Sequence, residues 1–193
     1  MVVILDHLPP TEFAFHWNSG RLCLDFVATV GERWRRSFER LRTPEDLGRW
    51  IAGTGLLDAP PAVSSPQLEG ARELREAINR LARPGLAPRP DDRRRLNAWA
   101  AKPALAPQLT AAGEIAWTAT DPVEAVLSAL TRDAVDLLAG PLARRVRECA
   151  AGDCALLFVD ASRPGRRRWC ASEACGNRAR TKAYRRRRRQ QPT

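Results

Sequence analysis

The sequence predicts an α+β protein, with a mainly helical N-terminal domain that contains a small hairpin, followed by a compact cysteine-rich module. The chain has 193 residues, 44% of them hydrophobic, which is enough for one full core. Apolar residues recur at helical spacing through most of the chain, whereas four of the five cysteines lie near its C-terminal end. We therefore expect a helical domain over residues 1–143 and the module over residues 144–193.

The N-terminal region is predicted to form a short strand, a turn and a buried helix. Aromatic residues alternate from Phe13 to Trp17, and Asn18, Ser19 and Gly20 follow as a turn signal. An apolar run then extends from Leu22 to Val30 and is interrupted by Asp25.

Several polar or amphipathic side chains lie close to this apolar run and are candidates for lining a small-molecule pocket: His16, Trp17, Asn18, Arg21 and Asp25. A structural role is the stronger explanation for them. Asp25 can cap a turn or pair with Arg21, and a single histidine is more often part of the framework.

Helix start and stop signals predict four further helices. One begins at Thr43-Pro44 and ends at Gly53, and the clearest amphipathic helix begins at Ser65-Pro66 and stops at Pro84-Gly85. We expect a third over 90–101 and a long fourth from Asp121-Pro122 to Gly140-Pro141. Between these two, alternation around Ala112-Gly113 predicts the hairpin, over 109–118.

The four clustered cysteines are spaced as two metal-binding knuckles. Cys149 and Cys154 form one pair, Cys170 and Cys175 form the other, and a segment of hairpin length separates the pairs. Four thiolates suit tetrahedral Zn²⁺ and leave no open coordination position, so we expect one structural zinc. The alternatives are two disulfides or four unrelated thiols. Cys23, in the apolar run, is more simply a buried small hydrophobe.

Strand and helix signals around the cysteines favour a treble-clef-like zinc finger. We expect a strand over 156–159, a turn at Ser162–Gly165 and a returning strand over 167–169, which would form a hairpin between the knuckles. A helix is predicted to follow Cys175 and to continue through the arginine tract.

The basic charge is confined to the last quarter of the sequence. Residues 144–193 hold 15 Arg and Lys against 4 Asp and Glu, whereas the first 143 residues hold 17 against 18. This segregation indicates a polyanion partner, and a groove-binding helix would place Arg178, Lys182 and Arg185 on one face. The candidate DNA-binding residues are Arg166, Arg167, Arg168, Asn177, Arg178, Arg180, Lys182, Arg185 and Arg186. The alternatives are a solvated charged face and, for Asn177, a helix cap.

Two motifs resemble known families. Cys175-Gly176-Asn177-Arg178, preceded by Cys149, Cys154 and Trp169-Cys170, resembles the CGNR zinc finger, and the segment Leu24 to Thr29 resembles the signature of the ABATE domain. The ABATE domain usually precedes that finger in stress-induced bacterial transcription regulators. The resemblance implies DNA binding by the finger and sensing of a ligand or stress signal by the helical domain.

We expect a cytoplasmic protein that is not an enzyme. The N-terminus lacks the basic stretch of a secretory signal, and no apolar run approaches the roughly 18–20 residues of a membrane span. The sequence has two histidines, no phosphate loop, no nucleophile elbow and no second metal cluster.

The leading hypothesis is a transcription regulator that binds double-stranded DNA and dimerises, because one finger alone offers a small interface. An RNA- or ribosome-associated zinc protein is the alternative, since arginine-rich helices also bind RNA. An enzyme that acts on a small metabolite and uses the basic tail for localisation is the third possibility.

Overall fold

The computed structural model describes residues 2–3 and 8–190, except the side chains of Arg189 and Gln190. After a 3-10 helix, Pro10–Phe13, the helical domain contains α1 (Leu22–Val27), β1 (Val30–Gly31), β2 (Phe38–Glu39), α2 (Pro44–Gly53), α3 (Ser65–Ala82), α4 (Asp92–Ala100), β3 (Ala106–Leu109), β4 (Ile115–Thr118) and α5 (Pro122–Ala139). A 3-10 helix, Pro141–Arg145, leads into the finger, which contains β5 (Val146–Glu148), β6 (Leu157–Val159), a π-helical turn (Ser172–Gly176) and α6 (Asn177–Gln190).

The short helix α1 lies at the centre of the helical core. Cys23, Leu24, Phe26 and Val27 are buried, and α1 packs against both α3 and α5, which also contact each other. A helix that is buried on all sides needs apolar residues at nearly every position, which explains the apolar run in this segment. The chain before α1 was predicted to form a strand, but that prediction is wrong: it forms a 3-10 helix and then has no regular secondary structure as far as Trp17.

Capping explains where the predicted helices begin. The Thr43 hydroxyl accepts a hydrogen bond from the Asp46 amide, and Asp46 accepts one from the Thr43 amide in return. Ser64 and Gln67 form the same reciprocal pair at the start of α3. Each cap stabilises its helix by about 1 kcal/mol. The observed α2, α3 and α5 agree with the helices expected from their start signals.

The β3–β4 hairpin confirms the predicted hairpin and starts earlier, at Ala106. Leu109 pairs with Ile115, and Pro107 pairs with Trp117, so these four residues share one face of the ribbon. Leu109, Ile115 and Trp117 are exposed to solvent. The hairpin therefore adds little to the core.

A buried ion pair joins β2 to α3. Two guanidinium nitrogens of Arg75 donate hydrogen bonds to the two carboxylate oxygens of Glu39, each at 2.7 Å, and Thr29 accepts a further bond from Arg75. Both ionic side chains are buried. Each partner also has a second ionic contact, Arg75 with Glu76 at 3.0 Å and Glu39 with Arg72 at 3.8 Å. The two-point pair is the closest of these contacts and fixes the position of β2 against α3.

The finger and the helical domain share strand β6. Leu157 and Val159 pack into the helical core, whereas Phe158, pointing to the other face, packs with the finger cysteines. β6 pairs with β5, with Val146 opposite Val159. The predicted pairing of 156–159 with 167–169 is therefore wrong, because β5, the strand before the first knuckle, pairs with β6 instead.

Of the helices within the described residues, none combines the length and the apolarity needed to cross a bilayer.

Candidate zinc centre and nucleic-acid interface

The two knuckles bring all four predicted cysteines together. Cys149 follows β5 directly, and Cys154 lies in the turn that leads to β6. The four Sγ atoms lie within 4.8 Å of one another, and Cys170 is 3.7 Å from Cys154 and 3.6 Å from Cys175. With Zn–S bonds of about 2.3 Å, the edge of a sulfur tetrahedron measures about 3.8 Å. The observed separations fit this geometry.

The ionisation of the thiols also fits a metal site. The hydrogen bond of the Cys154 thiol to an ionised Cys149 raises the pKa of Cys154 to about 12, and the Cys149 thiolate likewise raises the pKa of Cys170. Four thiolates therefore cannot coexist here without a compensating metal ion. The cysteines hold one structural zinc, which supplies cross-links in place of a large core.

Arg178 contacts the zinc-binding sulfurs directly. Its Nη2 donates a hydrogen bond to Cys175 Sγ at 3.2 Å, and its Nε lies 3.4 Å from Asp153 in the first knuckle. Burial acts to lower the pKa of Arg178, but the Cys175 sulfur and Asp153 outweigh it and raise the pKa. Zinc with four thiolates carries two net negative charges, so Arg178 provides part of the compensating charge.

Arg40 is a second cation near the cysteines, and no motif in the sequence pointed to it. The side chain is buried, and it donates to the carbonyl oxygens of Glu12 at 2.9 Å and Ala28 at 3.0 Å. Within the described residues no carboxylate lies within 4.0 Å of it. Arg40 lines a cavity of about 320 Å³ between the two domains, whose opposite wall includes Cys154 and Cys175. Burial lowers the pKa of Arg40 to about 10.

Two residues of the predicted pocket, His16 and Asn18, line this cavity. His16 Nε2 lies 3.2 Å from Arg40 Nη2. Although His16 keeps some contact with solvent, partial desolvation and then the Arg40 charge lower the pKa of His16 to about 4. His16 is therefore neutral at physiological pH and accepts the hydrogen bond from Arg40.

The other three candidates for the pocket hold the fold together. Trp17 stacks on the buried Trp50 with ring centroids 5.5 Å apart. Arg21 forms ion pairs of 2.7 Å with two aspartates of α5. Asp25 accepts hydrogen bonds from the amide and the hydroxyl of Ser19. The structure thus brings only His16 and Asn18 of the five into the cavity.

The predicted DNA-binding residues divide into two groups. Arg167, Asn177 and Arg180 bond within the finger: Arg167 Nε donates to the Trp169 carbonyl at 2.7 Å, Asn177 donates to the Glu173 carbonyl, and Arg180 donates to Asn177. Arg178 also belongs to this first group, because its side chain donates to Cys175 Sγ within the finger. The second group is exposed, and its side chains form no hydrogen bond or ion pair with any described residue: Arg166, Arg168, Lys182, Arg185 and Arg186.

A basic groove lies between the first knuckle and α6. Arg168, Lys182, Arg186 and Arg187 line it, together with Arg35 from the helical domain. Its one lining carboxylate among the described residues, Asp153, pairs with Arg178. The sequence did not reveal Arg35 because the helical domain has no excess of basic residues.

The helical domain and the four-cysteine, treble-clef-like finger define a two-domain zinc-finger protein. Residues 20–141 match the model of the ABATE family, whose description is "Putative stress-induced transcription regulator", and residues 145–188 match the CGNR zinc finger. The chain belongs to the ABATE family and carries a CGNR zinc finger at its C-terminal end. A search of curated proteins finds no significant match.

Proposed function

We propose that this protein is a cytoplasmic, DNA-binding transcription regulator and not an enzyme. One observation carries the proposal: the basic groove beside α6 presents Arg168, Lys182 and Arg186 without carboxylate partners, on a frame that zinc makes rigid. The description of the ABATE family supports the regulatory part.

Phosphate backbone contacts explain why such a groove suits duplex DNA. Each phosphate that a cation neutralises releases counterions and contributes about 0.9 to the log–log dependence of affinity on salt. The helix and the metal-braced turn already fix the backbone beneath these cations, so binding restricts only their side chains, and the groove is suited to a phosphate backbone of regular spacing.

The helical domain is proposed to sense a small molecule or a stress signal. We place the ligand in the cavity lined by His16 and Arg40. A ligand bound there would contact the helical domain and also the zinc-binding cysteines that line the same cavity. We further propose that the protein acts as a homodimer, since a second finger would enlarge a small DNA interface.

Retention of sheared genomic DNA tests the proposed function. Zinc-loaded protein is incubated with the DNA at near-physiological salt, where purely electrostatic binding is weak, and the retained fragments are sequenced. Enrichment of a few sites that share a motif is the expected result. Uniform retention, or none, would contradict a sequence-specific regulator.

Structured RNA serves as the competitor in the same assay. If RNA displaces the duplex at matched salt, the protein belongs to the RNA-associated class, which also uses arginine-rich helices.

A further inference from the structure

We propose that the helical domain binds the nucleic-acid backbone directly, through Arg35 in the loop between β1 and β2. The inference rests on the proposed function and extends it from the finger to residues 32–37, a segment that we call the β1–β2 loop. In this arrangement one phosphate lies between Arg35 and the cations of α6.

The β1–β2 loop has a fixed shape. Glu32 and Ser37 adopt left-handed backbone conformations, with φ of 42° and 49°, respectively. The Glu32 carbonyl accepts hydrogen bonds from the amides of Arg35 at 2.8 Å and Ser37 at 3.0 Å. Non-glycine residues adopt such angles only when the surroundings hold them there, so the backbone presents Arg35 in a defined position.

The loop is also attached to the finger. Trp34 Nε1 donates a hydrogen bond to the carboxylate of Glu148, the last residue of β5 and the neighbour of Cys149. Arg83, at the C-terminal end of α3, forms an ion pair of 2.7 Å with the same carboxylate, and its guanidinium lies 4.8 Å from the centre of the Trp34 ring. The β1–β2 loop and the first knuckle are therefore held together.

The Arg35 charge remains available for a ligand. The side chain is 64% exposed, and its one carboxylate contact within the described residues, with Glu32, is long at 3.5 Å. Glu32 is committed to Arg36, which donates two hydrogen bonds to it at 2.6 and 2.8 Å. An exposed pair of this kind stabilises a protein by less than about 1 kcal/mol, so a phosphate can displace it readily.

The other cations of the groove indicate which kind of ligand Arg35 would bind. Arg35 faces a surface that includes Arg168, Lys182 and Arg186, none of which has a carboxylate partner among the described residues. Like charges that line one groove repel one another, and an extended anion bound between them relieves that repulsion. A nucleic-acid backbone, with phosphates at regular spacing, supplies such an anion.

The position of Arg35 would couple the two domains. A signal that shifts the β1–β2 loop relative to the finger would remove one phosphate contact without any change in α6. Sensing by the helical domain would then change DNA affinity through a single residue.

Salt titration of single variants tests the inference. Binding of full-length, zinc-loaded protein to a fluorescein-labelled, mixed-sequence DNA duplex is measured by anisotropy over a range of KCl concentrations. We expect Arg35→Ala to reduce the log–log slope by about 0.9, the contribution of one phosphate, and Arg35→Lys to retain most of the slope.

Arg94→Ala is the matched control. Arg94 is 79% exposed, lies in α4 and pairs with Asp91, so this variant removes the same net charge from a residue that does not line the groove. If Arg35→Ala behaves like Arg94→Ala while the wild type binds, the inference is overturned and the proposed function stands. If the wild type fails to bind the duplex at any salt concentration, the proposed function itself falls.

Discussion

Arg178 and Lys182 lie one helical turn apart on α6, but their surroundings differ. Arg178 donates to Cys175 Sγ and contacts Asp153, whereas the Lys182 side chain is exposed and makes no hydrogen bond or ion pair in the described part of the chain. The spacing of four residues places both on one face, but it cannot show that one of them turns toward the metal site. Contact with a zinc-binding sulfur makes Arg178 a positioning residue of the zinc centre.

Substitution of these two residues should separate metal binding from DNA binding. We expect Arg178→Ala to lower zinc affinity about 10- to 100-fold, as loss of a group bonded to a metal ligand commonly does. Lys182→Ala should leave zinc affinity unchanged and lower the salt slope of DNA binding by about 0.9. Zinc affinity is measured by competition with a chromophoric chelator. Equal zinc affinities in the two variants would contradict the role assigned to Arg178.

At the level of elements, the finger depends on zinc more than on its own hydrophobic core. Its buried cluster consists largely of the cysteines themselves, with Leu156 and Phe158. We therefore expect Cys175→Ser to release zinc and unfold the finger, because metal binding and folding are coupled in such small units. Zinc content by atomic emission and proteolysis of α6 are the measurements. A variant that keeps one zinc per chain would refute the assignment.

The sequence allowed prediction of elements whose signals are local. The Thr43 cap and the Ser65-Pro66 start signal mark the beginnings of α2 and α3, although the cap of α3 is Ser64, and the cysteine spacing identifies the metal ligands. Pairing of β6 with β5 could not be predicted in the same way, because both candidate partner segments are short and register depends on contacts with the helical core. The orientation of Arg40 toward the cysteines depends on the same long-range packing.

At the scale of the whole molecule, Glu148 is the main ionic contact between the domains. It is the carboxylate partner of Arg83, whose side chain is only 2% exposed, and it accepts the hydrogen bond from Trp34. The alternative partners of Arg83, the Asn79 amide oxygen and the Ala155 carbonyl, are neutral. Loss of Glu148 would leave a buried charge without a counterion.

We expect Glu148→Ala to destabilise the folded protein by about 3 kcal/mol in urea unfolding, for this reason. Glu73→Ala is the control: Glu73 is 60% exposed and pairs with Arg95, so its loss should cost less than about 1 kcal/mol. Similar losses for the two variants would show that Arg83 does not depend on Glu148.

Strand β6 has a consequence for protein engineering. Many zinc fingers can be transplanted as independent cassettes, but here Leu157 and Val159 are part of the helical core while Phe158, between them, belongs to the finger. A finger excised near residue 145 would carry an uncovered apolar strip, and the remaining helical domain would have a matching gap. Chimeras that retarget this protein should therefore exchange residues of the groove on the intact chain rather than the finger as a whole.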